Sequence, residues 1–278
     1  MKKIKNIETH ITNSEDLTYK SARSEYDIAG NITLEEEYSE EGEIETKIES
    51  IYDEKGNLCD QKQYTDNDLL TDHRVMTRDE DGNLLETNVF FADDSKSIIT
   101  KSIDESQSFE ETKEIDEDGQ LETREVMHFN DDKQTILHEI YNFDNKLTEA
   151  FRFTYNDQGQ VSRREQLDQR KKLLLYTDFT YDEEGRTTLR TNHNRKGKLS
   201  DFLKVDYDEK GQVVEQNFSG KFFFKFEYDT KGNTVLEERM NANNDVDFQS
   251  RFEYNEDNNL KQEINLEFTK VLSYEYFD

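Results

Sequence analysis

The chain has no proline and no tryptophan, a single cysteine at position 59, and no long apolar run. Each shortage excludes something. Proline lacks the amide that a sheet ladder needs, so its absence over 278 residues suits a chain of paired strands and tight turns. One cysteine excludes an internal disulfide framework and fits a reducing compartment. The opening MKKIKNIETHITNSEDL is basic at its start but lacks the apolar stretch of roughly 7–15 residues that a secretory signal requires. Nothing approaches the roughly 18 apolar residues of a helical membrane span. A soluble cytoplasmic protein without membrane contact is the expectation.

Apolar residues are scarce as well, 32 % against the roughly 45–50 % of average globular domains. Charged residues reach 36 %, and the formal charge is −29. Low hydrophobicity with high net charge is ordinarily the signature of disorder. The 14 tyrosines and 18 phenylalanines argue the other way, because they recur at fixed places.

Those places form a repeat. The chain reads YDEKGNL from Tyr52, YNDQGQV from Tyr155, YDEEGRT from Tyr181, YDEKGQV from Tyr207 and YDTKGNT from Tyr228. The residue before each turn falls at 26, 38, 52, 64, 78, 91, 103, 115, 129, 141 and 155, then at 167, 181, 193, 207, 218, 228, 240 and 254. Steps of 12 and 14 alternate through much of the chain, so two units span 26 residues. Ten of the eleven glycines stand four residues after such a marker: Gly30, Gly42, Gly56, Gly82, Gly119, Gly159, Gly185, Gly197, Gly211 and Gly232. The eleventh, Gly220, lies in the shortened turn FSGK. Glycine is favoured where the backbone needs φ > 0, so one phase for all ten means one left-handed step per turn. Asp or Asn first and Gly fourth marks a type I turn followed by a left-handed residue, as in short hairpin loops. YTDNDL, FADDSKSI and YNEDNNL put Asp, Ser or Asn in the glycine's place; Asp and Asn tolerate this region best.

Between turns the pattern has period two. In LTEAFRFTY (147–155), Leu147, Phe151, Phe153 and Tyr155 share one face, and Thr148, Arg152 and Thr154 the other. LETREVMHF, FLKVDY, FFFKFEY and INLEF alternate similarly, which predicts half-buried antiparallel strands. The fold expected is all-β: one domain over 1–278, a single long antiparallel meander of about twenty hairpin-connected strands. Accumulated strand twist would curl it into a spiral or half-shell. Weaker capping units are expected at 1–25 and 255–278, with the lysines of MKKIK blunting an open edge.

The tandem Y-D-x-x-G-x-L/V units resemble the YD repeats of Rhs and teneurin-like proteins. The resemblance implies a long, spiralling antiparallel sheet that can close into a shell around a toxin. Two features depart from that family. Its favoured Gly-Arg occurs here once, at Gly185–Arg186, and no toxin-like domain follows the last repeat. The resemblance therefore carries over the sheet and not the encapsulating role.

Chemistry is harder to find. His10, His73, His128, His138 and His193 are scattered, with no spacing that gathers three or four zinc ligands. The turns DEDGN (79–83) and DEDGQ (116–120) bring glycine too early for a calcium loop. No phosphate-binding glycine loop or nucleophile elbow is present. The expectation is a non-enzymatic protein with no metal and no cofactor.

Charge placement is the informative remainder. Residues 1–120 hold 33 Asp and Glu against 13 Lys and Arg, whereas residues 161–200 hold ten basic residues against six acidic. The acidic half predicts a footprint for a basic protein partner. Its residues are Glu35, Glu36, Glu37, Glu40, Glu41, Glu43, Asp79, Glu80 and Asp81. The basic segment is too small within so acidic a chain to predict nucleic-acid binding. Together with the resemblance, this implies a cytoplasmic immunity protein that covers a cationic toxin, such as a nuclease. A structural scaffold or chaperone holding a client protein is the alternative.

Overall fold

The computed structural model describes residues 2–66, 68–104 and 108–278, which form strands and turns only. In chain order the strands are β1 (Ile4–Asn13), β2 (Thr18–Tyr26), β3 (Ile32–Tyr38), β4 (Ile44–Tyr52), β5 (Leu58–Thr65), β6 (Leu69–Arg78) and β7 (Leu84–Phe91). Then come β8 (Lys96–Asp104), β9 (Phe109–Asp116), β10 (Leu121–Phe129), β11 (Thr135–Tyr141), β12 (Leu147–Tyr155), β13 (Val161–Leu167) and β14 (Leu173–Tyr181). The last are β15 (Thr187–Asn194), β16 (Leu199–Tyr207), β17 (Val213–Phe218), β18 (Phe222–Tyr228), β19 (Thr234–Asn241), β20 (Val246–Tyr254), β21 (Leu260–Ile264) and β22 (Phe268–Tyr276). The turn expected after Ile103 falls on residues 105–107, and Asn67 belongs to YTDNDL; both lie outside the described residues. Two compact units are distinguished, a first of residues 1–99 with 248–278 and a second of residues 100–247.

The repeated heptapeptide is a hairpin device, and each of its letters has a task. In the turn from Asp53, the Asp53 amide donates to the Asn57 carbonyl at 2.9 Å and the Gly56 amide to the Asp53 carbonyl at 3.0 Å. The Asp53 carboxylate accepts the Lys55 and Asn57 amides at 2.9 and 2.8 Å. Gly56 sits at φ +83°, and the register slips by one between Ile51 and Tyr52. This is a type I turn closed by a left-handed residue and a bulge. All eleven glycines have positive φ, and Asp16, Asp68, Lys133, Asn145, Lys171, Asn244 and Asn258 take the same step where glycine is missing.

The tyrosine joins neighbouring hairpins. Tyr155, Tyr181 and Tyr207 donate their hydroxyls to the carbonyls of Thr135, Val161 and Thr187, at 2.6, 2.7 and 3.0 Å. Each acceptor lies twenty residues upstream. Arg78 occupies the tyrosine's place in its unit and reaches the Leu58 carbonyl at 3.3 Å, also twenty residues back. The residue after the left-handed position braces the next turn at the same end of the sheet: Gln134, after Lys133, and Gln160, after Gly159, donate to the Gly159 and Gly185 carbonyls, both at 2.8 Å.

In the first unit β1 pairs with β2 on one side and with β22 on the other, from Ile4 opposite Tyr276 to Asn13 opposite Phe268. The all-β, antiparallel part of the expectation agrees with this, but the open spiral or half-shell is corrected: the first and last strands are hydrogen-bonded to each other, so the 22-stranded sheet is closed. Neither terminal strand is an edge for lysines to blunt. Lys5 instead pairs with Glu275 across the seam at 2.7 Å. Pairing satisfies amides and carbonyls that a free edge would leave open, which is the physical reason for closure.

Among the described residues, buried apolar side chains are few: Val89 in the first unit, and Val126, Ala150, Leu167 and Val205 in the second. The period-two reading of β12 holds in its second half, where Phe151, Phe153 and Tyr155 are half-buried while Arg152 and Thr154 are exposed. It fails at Ala150, which lies on the polar phase yet is 0 % exposed. Register explains the exception. Val126, Glu139, Ala150 and Leu167 stand opposite one another in turn across β10 to β13, forming a buried row on that face.

The turn geometry makes a graded prediction. A Cβ on Gly211 would stand 2.8 Å from Nη1 of Arg186 at φ +83°, whereas one on Gly30 would meet nothing within 4 Å. Gly30→Ala should lose about 1–2 kcal/mol for the left-handed backbone alone. Gly211→Ala should lose more, and Gly30→Asn less. Urea midpoints read this order directly, and equal losses for Ala and Asn at Gly30 would remove the left-handed step as the cause.

Candidate protein-docking surface

Turns alternate between the two ends of an antiparallel meander, so position along the repeat decides which charged loops meet. The turn at 39–43 follows an odd-numbered strand and the turn at 79–83 an even-numbered one. The structure therefore places Glu40, Glu41 and Glu43 at one end of the first unit and Asp79, Glu80 and Asp81 at the other. Glu35 and Glu37 are exposed on β3. Glu36 is only 8 % exposed; it ion-pairs with Arg23 and accepts the Tyr38 hydroxyl at 2.5 Å, so it is spent inside the sheet.

The end that holds Glu40, Glu41 and Glu43 has further carboxylates that the sequence reading did not group with them. Asn13, in the turn after β1, donates its side-chain amide to Glu40 at 3.3 Å, which brings the 13–17 hairpin against the 39–43 hairpin. The Asp66 amide donates to the Glu45 carbonyl, and Lys47 reaches Asp68 at 3.7 Å, which brings in the hairpin between β5 and β6. Glu15, Asp16, Glu40, Glu41, Glu43, Asp66 and Asp68 are all exposed there. The nearby cations are engaged: Lys47 also pairs with Glu49 at 2.8 Å, and Lys20 lies 3.9 Å over the Tyr38 ring. A signal for this grouping existed in the repeat: turns two units apart share an end.

At the other end the acids serve the turns. Asp27, Asp53 and Asp79 accept the side-chain amides of Asn31, Asn57 and Asn83, each at 2.9 Å. Those amides, with the backbone amides of the same turns, hold all three carboxyls below the usual carboxylate value. Lys55 spans to the Glu80 carbonyl at 2.9 Å and Lys3 to the Ile28 carbonyl at 2.7 Å. Glu80 and Asp81 remain exposed.

In both units histidines meet carboxylates on diagonal cross-strand positions. His73 is 2.9 Å from Asp60, His138 3.1 Å from Glu125, and His128 3.3 Å from Glu139. Only Glu139 is deeply placed, its side chain 5 % exposed. Burial pushes its carboxyl upward; the Lys171 ammonium at 2.5 Å, with His128 and Tyr141, outweighs burial and holds it below the usual value. Lys171 arrives from the 168–172 turn, which thereby leans towards β11 over the buried row. These pairs tie strands together. Among the described residues no three His, Cys, Asp or Glu side chains are grouped to hold a metal ion.

No protein family matches the sequence, and no curated protein does. Among solved structures, TcdB2-TccC3-TEV aligns with 88 % of this chain at 14 % identity and a TM-score of 0.38. TcdB2-TccC3 aligns with 88 % at 12 % identity and a TM-score of 0.33. The chain spans only 15 % and 16 % of those two. A porin-like protein from Bacteroides uniformis ATCC 8492 aligns over 98 % of this chain and 96 % of its own, at 8 % identity and a TM-score of 0.35. At such scores these likenesses carry no functional argument.

The Glu139 pair predicts a pH-dependent substitution. Lys171→Met leaves a buried carboxylate without its ammonium and should lose about 1–3 kcal/mol near pH 7. With a depressed folded pKa, the pair's contribution is present above the unfolded carboxyl value and fades as pH falls through the folded one. The difference from wild type in urea unfolding should therefore shrink below about pH 4. A loss of the same size at pH 3 and pH 7 would exclude the ion pair.

Proposed function

We propose that this chain is a non-enzymatic protein-binding module that captures a basic protein through the acidic hairpin end of its first unit. The observation that carries this reading is the set of seven exposed carboxylates on three contiguous hairpins, beside cations that are already engaged. A cluster of that kind accelerates encounter with a cationic surface and selects against acidic ones. Hairpin tips are short and held at both feet, so they present charge with little conformational entropy left to lose. Within this reading, a cytoplasmic immunity protein that covers a basic toxin is the specific role; the tandem YD-like units and the acidic balance support it.

The scaffold alternative rests on a different feature of the second unit. Phe218, Phe222 and Phe224 cluster beside the shortened turn, with Phe218 and Phe222 stacked at 4.7 Å between centroids. A client held there would bind with little dependence on salt.

Co-expression with the product of an adjacent gene, followed by pull-down across a salt series, separates the two. The combined variant Glu40→Lys, Glu41→Lys and Glu43→Lys should weaken a salt-sensitive complex about tenfold or more, because close charge pairs across an interface couple strongly. Glu80→Lys with Asp81→Lys, at the opposite end, should change it little. Equal loss from both sets would remove the acidic hairpin end as the docking surface, and a complex insensitive to salt would favour the aromatic cluster.

A further inference from the structure

The second unit has a hairpin end of the opposite character. The turns at 168–172 and 194–198 follow β13 and β15, so they are successive hairpins at one end of the sheet. Arg170, Lys172, Arg195, Lys196 and Lys198 are all exposed on them. Among the described residues none of these five side chains has a carboxylate within ion-pairing distance. Asp168, the one acid in these two turns, uses its carboxylate to accept the Arg170 and Lys172 backbone amides at 2.8 and 2.9 Å. The next hairpin at the same end, 142–146, puts Phe143 at its tip, 70 % exposed. The Lys171–Glu139 ion pair draws the 168–172 turn towards β11, the strand that leads into that tip. Five exposed cations outside any ion pair and a protruding aromatic side chain thus occupy three adjacent hairpins.

We propose that this cationic hairpin end is a docking surface for an acidic polypeptide segment bearing an apolar side chain, with Phe143 as the anchor. Two observations favour a polypeptide over a nucleic acid. The surface is narrow: hairpins at one end of a sheet repeat every second strand, about 10 Å apart, so the five cations span little more than two hairpins. Beyond Phe143 the next hairpin at that end, 116–120, carries Asp116, Glu117 and Asp118, which repel a continuing phosphate backbone. The aromatic faces beneath the cations are also occupied. Tyr176 lies between the Arg163 guanidinium, 4.2 Å from its ring centroid, and His193, stacked at 4.8 Å and 9°. Single-stranded nucleic acid binding relies on free aromatic faces along a charged track. A short run of carboxylates with one apolar residue matches what is offered: bidentate contacts from Arg170 and Arg195, point charges from the lysines, and contact area from Phe143.

Fluorescence anisotropy on the full chain tests this with three labelled probes: a peptide of glutamate and leucine, a peptide of glutamate alone, and a single-stranded oligonucleotide. The glutamate–leucine peptide should bind most tightly and weaken as salt rises. Combined Arg170→Glu, Arg195→Glu and Lys196→Glu should lower its affinity about tenfold or more, with thermal melting confirming an intact fold. Phe143→Ala should weaken the leucine-containing peptide several-fold and leave the glutamate-only peptide unchanged. The charge-reversed first-unit variant, Glu40→Lys with Glu41→Lys and Glu43→Lys, should bind the peptide as the parent does, which separates this surface from the one proposed above. Tighter binding of the oligonucleotide, peptide binding unaltered by the triple reversal, no peptide binding at low salt, or salt-sensitive self-association lost in the triple reversal would each overturn the proposal.

Discussion

Everything in this chain depends on one backbone step, the left-handed residue that closes each hairpin. A type I turn followed by positive φ and a bulge reverses the chain in few residues while keeping the twist that the strands on either side require. Because the step is repeated, hairpins at one end fall into line, and side chains in the turns meet their counterparts two strands away. The Gln134 and Gln160 amides on the glycine carbonyls, and the tyrosine hydroxyls on carbonyls twenty residues upstream, exist only because that alignment holds. The heptapeptide is therefore a unit of inter-hairpin bonding as well as a turn. This also accounts for a protein with so few fully buried apolar side chains. Its order comes from polar ladders on a regular backbone, with small buried rows such as Val126–Glu139–Ala150–Leu167 inserted where neighbouring registers coincide.

The parts of this architecture that were legible in the sequence are those with a local chemical cause. Glycine at one phase marked the left-handed step, alternation in stretches such as FFFKFEY marked strands, and Asp or Asn at the turn's first position marked the cap. Arg78 stands in a tyrosine's place in the repeat and makes the tyrosine's bond to a carbonyl twenty residues back. The closure of the sheet was not legible. Pairing Ile4 with Tyr276 has no local signature, since any two strands of matching length and alternation could pair. Burial of Ala150 was hidden for a related reason: it depends on what stands opposite in β11 and β13, and not on its place in β12.

The candidate surfaces divide in the same way. The excess of carboxylates in residues 1–120 was plain from composition, but composition does not say which loops share an end. Grouping Asp79, Glu80 and Asp81 with Glu40, Glu41 and Glu43 followed proximity of type; the meander separates them by an odd number of strands. The spacing of 12 and 14 residues contained the answer, because alternate units return to the same end. Glu36 shows a second limit. It stands in a run of three glutamates of which the outer two are exposed, while Glu36 itself faces Arg23 and Tyr38. Period two distributes a charge run over both faces, so a run read as one patch overstates the charge available to a partner.

Segregation of charge between groups of hairpins has a physical consequence. A net charge of −29 repels acidic molecules at long range, yet screening at physiological ionic strength confines that field to about 8 Å. Within that distance each hairpin end acts by its own charge. The exposed carboxylates around Glu40 in the first unit and the exposed cations around Lys196 in the second therefore each set the sign of the field in their own neighbourhood. The repeat supplies the rigidity, and exposed turn positions, among them those of Glu40, Glu41, Glu43, Arg195, Lys196 and Lys198, supply the charge. Selection can alter those positions while the tyrosine, the cap and the left-handed residue stay fixed. A repeat of this kind separates the residues that build the sheet from those left exposed at the turns, hairpin by hairpin.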